Sequence, residues 1–247
     1  MKHTGIFERT SILVTDEGID KLKNAHVLLA GVGGVGSFAA ESLARAGIGQ
    51  ITLIDHDVVS TSNLNRQLIA LNSNIGTKKA TIMRERILDI NPNCKVKIID
   101  NFIRQDTMAI LFAENYDFVI DAIDSLASKV AFIAYAHNEG YNVISSMGAG
   151  CKIDPMQIKV ADIYQTSICN LAKFIRIRLR RLNIKKGILA VYSTENSIPP
   201  LPPEPVNDTS RDRAVNGTIS YMPAIFGLMI SGIVIKHIIK NHLQAKS

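Results

Sequence analysis

The sequence predicts an α/β fold: a mainly parallel sheet with helices on both faces, followed by a C-terminal extension with additional strands and helices. Three observations predict it. Short apolar runs without charge, such as Val27-Leu28-Leu29-Ala30 and Phe118-Val119-Ile120, have the character of strands buried on both faces. Segments of helical composition alternate with them at short intervals, the pattern that builds parallel sheets. The first helix is entered through Gly31-Val32-Gly33-Gly34-Val35-Gly36, a tight turn rather than either element. At 247 residues and 47% hydrophobic content, the chain suffices for one sizeable core, or a core with a small appendage.

The stretch from His26 to Asp57 organises the rest. His26 to Ala30 reads as a strand, Ser37 to Ala46 as a helix stopped by Gly47 and Gly49, and Ile51 to Ile54 as a second strand ending in Asp55 and Asp57. A nucleotide fits such a Rossmann-like unit. Gly31, Gly33, Gly34 and Gly36 let backbone amides approach phosphate oxygens, and the helix N-terminus adds positive charge. Asp55 lies 19 residues beyond Gly36, near the position that accepts a ribose hydroxyl. The pattern alone does not separate NAD from ATP.

The other elements follow in order. Met1 to Thr10 is polar and expected to be partly extended. Asp16 to Leu22 suits a short helix capped by Thr15 or Asp16. Arg9, before it, reads locally as a solvated arginine. Val58 to Gln67 is a polar loop at the carboxyl end of the second strand, where ligands of open α/β sheets sit. Gly76-Thr77-Lys78-Lys79-Ala80 opens a helix to about Ile90, with Pro92 beyond it. A lysine in a first turn opposes the helix dipole, so Lys79 either faces a bound phosphate or is simply solvated. Val96 to Ile99, Phe118 to Asp121 and Asn142 to Ser146 are strands three to five. Asp106 to Ala113 and Lys129 to Glu139 are the helices between them. Asp124, just past the fourth strand, suits Mg²⁺ carried by a triphosphate or, equally, a helix N-cap.

The character changes at Gly148-Ala149-Gly150. Ile158 to Asp162 alternates like a half-exposed strand, and Ile188 to Tyr192 is another short strand. Asn170 to Leu182 is helical, with Leu171, Ile175, Leu179 and Leu182 on one face and Lys173, Arg176 and Arg180 off it. From Ile163 to Thr194 there are seven basic residues and no acid. The chain's net charge is +6, so the remainder carries −1 and the excess is local. Such a patch points to a polyanionic partner; a solvated helix face is the rival reading. Ser197 to Ser210 holds five of the eight prolines, which excludes helix and central strand and suggests a mobile loop, either lid or connector. Gly217 to Ser220 reads as a short strand and Pro223 to His242 as a helix. Its apolar part, Tyr221 to Ile235, is short for a bilayer, so a buried or interface helix is expected and no membrane span. Cys94, Cys151 and Cys169 form no CxxC and no disulfide framework. No apolar signal segment opens the chain, so a cytoplasmic location is expected.

Taken together, Gly31-x-Gly33-Gly34-x-Gly36, Asp55-x-Asp57, Asn63-Leu64-Asn65-Arg66-Gln67, Ile75-Gly76-x-x-Lys79 and Asp121-Ala122-Ile123-Asp124 resemble the ThiF/MoeB adenylating superfamily, to which ubiquitin-activating enzymes belong. The resemblance implies one adenylating domain over residues 1–247. Residues 1–147 would be its nucleotide-binding core, and 148–247, with the loop 197–210, its substrate-binding and dimer-contact portion. It implies ATP and Mg²⁺. Asp55 would hold ribose, Asn63, Arg66 and Lys79 the phosphates, and Asp124 the metal, with the four glycines, Asp57 and Gln67 completing the nucleotide site. Arg9 matches the arginine that reaches across a homodimer to the partner's ATP. Arg9, Arg66, Lys79 and Asp124 would thus be the catalytic set.

Within the superfamily the chain is most similar to the tRNA threonylcarbamoyladenosine dehydratase branch. Asn72-Ser73-Asn74-Ile75-Gly76, Ile90-Asn91-Pro92, Gly148-Ala149-Gly150, Ile153-Asp154-Pro155-Met156-Gln157-Ile158 and Tyr192-Ser193-Thr194-Glu195 bear that similarity. It implies ATP-dependent dehydration of the threonylcarbamoyl side chain on the adenosine beside the anticodon. tRNA would be a partner, with Arg176, Arg180 and Arg181 as contacts, and a sulfurtransferase-system protein a further one. Ile188 to Val191 and Val215 to Gly217 lack cysteines that branch members often carry, which argues against a sulfur relay through them. The alternative activity is adenylation of the C-terminal glycine of a small sulfur-carrier or ubiquitin-like protein. An NAD-dependent oxidoreductase or a non-catalytic nucleotide scaffold would give Arg66, Lys79 and Asp124 no triphosphate to serve.

Overall fold

The computed structural model describes residues 5–199, 201–204 and 213–243. Its centre is a seven-stranded sheet in the order β3-β2-β1-β4-β5-β7-β6. The strands are β1 (His26–Ala30), β2 (Gln50–Ile54), β3 (Lys95–Ile99), β4 (Phe118–Asp121), β5 (Val143–Ser146), β6 (Ile158–Asp162) and β7 (Ile188–Ser193). All neighbours run parallel except β6, which pairs antiparallel with β7 at the edge. Strand alternation builds two cores. Val27 and Leu29 of β1 face one, with Leu22, Leu43, Met83 and Phe226; Leu28 and Ala30 face the other, with Leu111, Phe132, Ile175 and Leu179.

The helices covering these cores are α1 (Glu8–Asn24), α2 (Gly36–Ala46), α3 (Lys79–Ile90), α4 (Met108–Leu111), α5 (Leu126–Asn138), α6 (Asn170–Arg181) and α7 (Tyr221–Leu243). β1 lies between β2 and β4, so the order of strands reverses there and opens a crevice beyond their carboxyl ends. α7 packs along α2 with Met222, Phe226, Ile230 and Val234 buried. Gly227 permits the contact, since a Cβ there would lie 2.3 Å from the Val35 carbonyl oxygen. Tyr221–Lys240 is long and apolar enough to cross a bilayer by length and composition. The apolar stretch is thus longer than Tyr221 to Ile235, and its buried face meets protein.

Five local expectations need correction. Met1 to Thr10 is not extended where it is described: a 3₁₀ turn at Gly5–Phe7 leads straight into α1. α1 kinks at Thr15 (φ 66°, ψ 168°), whose Oγ1 accepts the Gly18 N–H at 3.4 Å, so the predicted cap sits at the start of the second half. The helix expected over Asp106 to Ala113 is a 3₁₀ turn, Gln105–Thr107, and the single turn α4. The proline-rich segment is not loop throughout, because β8 (Leu201–Glu204) pairs with β9 (Arg213–Val215) in a separate two-stranded ladder. Its register shifts between Leu201 and Glu204, where Pro202 and Pro203 have no N–H to donate. Residues 200 and 205–210, on which the mobile-loop reading largely rests, lie outside the described residues. Finally, Gly217 to Ser220 is not a strand; the Gly217 carbonyl instead accepts the Cys151 N–H at 2.7 Å.

Candidate active site

A cavity of about 450 Å³ opens in the crevice beyond β1, β2, β4 and β5. The glycine turn forms its floor, and its four glycines have two different reasons to be glycine. Gly31 has φ +89°, and a Cβ would sit 2.6 Å from the Ala122 carbonyl oxygen. At Gly36 a Cβ would lie 1.8 Å from the Gly31 oxygen. These two residues let β1, β4 and α2 close on one another. At Gly33 a Cβ would meet only Gln67 Nε2, at 3.7 Å, so a side chain there would enter the cavity. Gly33 and Gly34 line the wall, with the positive end of α2 directly behind them.

The acids after β2 are held firmly. Asp55 accepts the Val32 N–H on Oδ2 at 2.6 Å and the Asp57 N–H on Oδ1 at 2.8 Å. Burial raises its pKa above the ordinary carboxylate value, against the pull of those N–H groups and the Lys79 ammonium. Asp57 is paired: Lys79 Nζ lies 2.9 Å from its Oδ2 and His56 Nε2 3.3 Å from its Oδ1. Lys79 also donates its backbone N–H to the Asp57 carbonyl at 3.0 Å, which sets the start of α3. The lysine is therefore neither plainly solvated nor unpaired. Its ammonium stands at the cavity wall beside a carboxylate 22 residues earlier in the chain.

Arg66 lines the cavity, braced by Nη1 donating to the Ser62 carbonyl at 2.8 Å and to Asn65 Oδ1 at 3.0 Å. Gln67 is buried in the same wall, and its Oε1 has no hydrogen-bond partner among the described residues. The amide atom that approaches the glycine turn is Nε2, 3.7 Å from where a Cβ on Gly33 would stand. Asn63 departs from expectation. Its side chain is buried, its Oδ1 accepts the Ser60 N–H at 3.1 Å, and it does not line the cavity. The turn that positions Arg66 and Gln67 uses up that carbonyl.

Asp124 is exposed and lines the cavity. The N-cap of α5 is Ser125, with no side-chain cap bond, so Asp124 does not serve as the helix cap. Arg9 is exposed on α1 and stands outside the cavity of its own chain. Arg176 is tethered through one nitrogen: Nη1 donates to the Ile163 and Thr166 carbonyls at 3.3 and 3.1 Å and to the Thr166 hydroxyl, tying α6 to the turn before it. Arg180 and Arg181 are exposed, and the Arg180 guanidinium lies 5.4 Å from the centre of the Tyr164 ring.

Compared with known proteins, residues 7–247 match the model of the ThiF family. The chain belongs to the ThiF family. A tRNA threonylcarbamoyladenosine dehydratase of Bacillus subtilis is 39% identical over 241 residues, 95% of each chain. The protein of the same name from Escherichia coli is 43% identical over 201 residues, 78% of this chain and 75% of its relative. Among solved structures, the Escherichia coli enzyme in complex with ATP superposes with a TM-score of 0.87 at 37% identity, covering 96% of this chain and 95% of the other. Its complex with AMP gives 0.85 at 38% identity, covering 94% and 93%.

Other residues of this ThiF-family site were not singled out from sequence. Asn101, Phe102 and Ile103 line the cavity from the loop after β3, and the Phe102 ring lies 3.9 Å from that of His56. Their place beyond a strand's carboxyl end was a usable signal. Behind Asp124 lies a buried cluster. Asp121 Oδ2 accepts from Lys129 Nζ at 2.6 Å and Ser145 Oγ at 2.5 Å, while Oδ1 accepts the Ile123 N–H at 3.1 Å. Burial pushes the Asp121 carboxyl up, and the ammonium and hydroxyl pull it down. A lysine in a helix's first turn gave no sequence sign of being wholly buried.

Proposed function

We propose that this ThiF-family protein uses ATP to dehydrate the threonylcarbamoyl side chain of the modified adenosine beside a tRNA anticodon. A carboxylate is a poor electrophile because its leaving group would be oxide. Attack of the side-chain carboxylate on the α-phosphorus forms an acyl adenylate and releases pyrophosphate. The neighbouring carbamoyl group then attacks the acyl carbon, loses a proton and expels AMP, so a ring closes with net loss of water. Proximity within one side chain makes that step fast without a protein nucleophile.

The chain's residues orient and neutralise. Asp55 accepts from ribose, Gly33 and Gly34 admit the phosphates to the backbone, and Arg66 and Lys79 meet the charge that grows on them. Among the described residues no three His, Cys, Asp or Glu side chains form a metal cluster of their own. The single carboxylate of Asp124 fits Mg²⁺ carried by phosphates, which adds charge neutralisation when bound. Arg9 belongs in the site of a second copy. It shares its exposed helix surface with Ile12 and Leu13, 65% and 83% exposed, an apolar patch suited to a homodimer contact. The exposed cations of the segment 173–186, including Arg180 and Arg181, take tRNA phosphates. A sulfurtransferase-system partner would be accessory, since the chemistry involves no sulfur. The work would be done in the cytoplasm.

The observation that supports this best is the cavity itself, lined by the glycine turn, Asp55, Arg66 and Lys79, in a chain similar to dehydratases along nearly its whole length. Incubation with threonylcarbamoyl-modified tRNA and ATP, followed by nucleoside mass spectrometry, should show loss of one water from the modified adenosine with AMP and pyrophosphate released. Bound tRNA and ATP with no such loss would refute it. Pyrophosphate exchange dependent on a small carrier protein and indifferent to tRNA would move the activity to a protein tail.

A further inference from the structure

We propose that Phe174 is a base-stacking platform at the mouth of the cavity, holding a loop base of the tRNA next to the adenosine that enters the site. The proposal rests on the tRNA reading above. α6 turns Ala172, Ile175 and Leu179 into the core, and Leu171 lines the nucleotide cavity. Residues three and seven positions apart share a helix face, so Leu171, Phe174, Arg178 and Arg181 form one line leading away from the cavity. At 1.5 Å per residue, Phe174 stands roughly 5 Å, Arg178 roughly 10 Å and Arg181 roughly 15 Å along that line from Leu171.

Phe174 is 53% exposed, a large apolar ring set between the exposed cations Lys173 and Arg178. No acidic residue occurs between Ile163 and Thr194 to balance them. A second copy of this chain is a poor occupant of the face, because a two-fold contact would set like charges against one another. RNA is a good one. Its phosphates meet the cations, and unpaired loop bases stack on aromatic rings. The chemistry itself creates the need. The reacting adenosine must leave the loop stack to reach the α-phosphorus, which strips one neighbour of its stacking partner. An aromatic ring one turn from the cavity wall replaces that partner.

The chain contains no tryptophan, so Phe174→Trp introduces a single fluorescent reporter at the proposed contact. Its emission should be quenched and shielded from acrylamide when a modified anticodon stem-loop binds. Phe174→Leu keeps apolar bulk but no ring face, and should raise KM for tRNA roughly 5- to 150-fold, the usual worth of one stacked base. Phe174→Tyr should restore it. KM for ATP should stay constant, and the salt dependence of tRNA binding should keep its slope because no phosphate contact is lost. Unchanged tRNA kinetics in Phe174→Leu, or unchanged emission with the stem-loop bound, would overturn the assignment while tRNA turnover by the unaltered protein upheld the function. A shift in oligomeric state of Phe174→Leu by sedimentation would give the face to a second copy and overturn it too. Absence of tRNA turnover in the unaltered protein would remove the reading on which it rests.

Discussion

Replacing Gly33 and Gly36 one at a time by alanine separates a glycine kept for the ligand from one kept for the fold. At Gly36 the new methyl would lie 1.8 Å from the Gly31 carbonyl oxygen, which is backbone and cannot rotate away. The helix would have to leave the strand, so the cost should exceed about 4 kcal/mol and the variant should fail to fold or melt far below the parent. At Gly33 the nearest atom is Gln67 Nε2 at 3.7 Å, ordinary contact distance, and φ is not positive. Alanine there should restrict the unfolded chain and stabilise by about 0.4–1 kcal/mol. For a chain of this length that is a rise of about 1–4 °C in Tm. The same methyl stands where a phosphate must approach the backbone. Losing one charged hydrogen bond costs about 1.5–3 kcal/mol, or roughly 10- to 150-fold in Kd for ATP. Differential scanning fluorimetry without nucleotide and titration calorimetry with ATP read the two effects separately. Gly33→Ala binding ATP like the parent, or melting as low as Gly36→Ala, would refute the division.

Asp124→Asn should leave the melting temperature and metal-free ATP binding nearly unchanged while abolishing Mg²⁺-dependent turnover, measured as pyrophosphate release against Mg²⁺ concentration; a normal Mg²⁺ response would take the carboxylate out of the site. Arg9→Ala and Lys79→Ala chains, each inactive alone, should regain part of the activity when mixed, because a mixed dimer holds one site with both residues intact. No recovery in mixtures shown to contain mixed dimers would confine Arg9 to its own chain. The pKa of His26 is lowered from 6.5 by burial, which outweighs the pull of Glu114 and Asp117, and the ring meets Thr52 Oγ1 at 2.8 Å. A depressed folded pKa means that its stability contribution is complete above 6.5 and is lost as pH falls through the folded value. Tm should therefore decline on acidification below that point, and His26→Gln should flatten part of the decline; an identical acid limb in the variant would discount His26.

What was legible in the sequence was local. β1, β2 and β4 are apolar because both their faces are covered, the glycine turn follows β1, and Asp55 follows β2. What was not legible depends on pairs distant in sequence. Lys79 reads as a cation at the wrong end of a helix until Asp57 is set beside it. Arg176 reads as one of seven surface cations until the Ile163 and Thr166 carbonyls claim it. The prolines of Leu201 to Glu204 argue against strand until an isolated ladder with shifted register makes room for them.

The pair most hidden in the sequence bears on an exposed acid of the site, Asp124. Asp121 and Lys129 are both almost wholly buried, and a buried ion pair is a doubtful source of stability, since each charge has lost its water. Its geometry does something else. One Asp121 oxygen is held by Lys129 from α5 and by Ser145 from β5, and the other accepts the N–H of Ile123, the residue immediately before Asp124. The backbone between β4 and α5 is thereby fixed to three elements of the rigid sheet and helix layer, while Asp124 itself takes no part and keeps its carboxylate for the cavity. Removing either charge would leave the other buried and alone at a cost of about 3–5 kcal/mol, so the two persist together. The desolvated pair holds the turn that presents the solvated carboxylate.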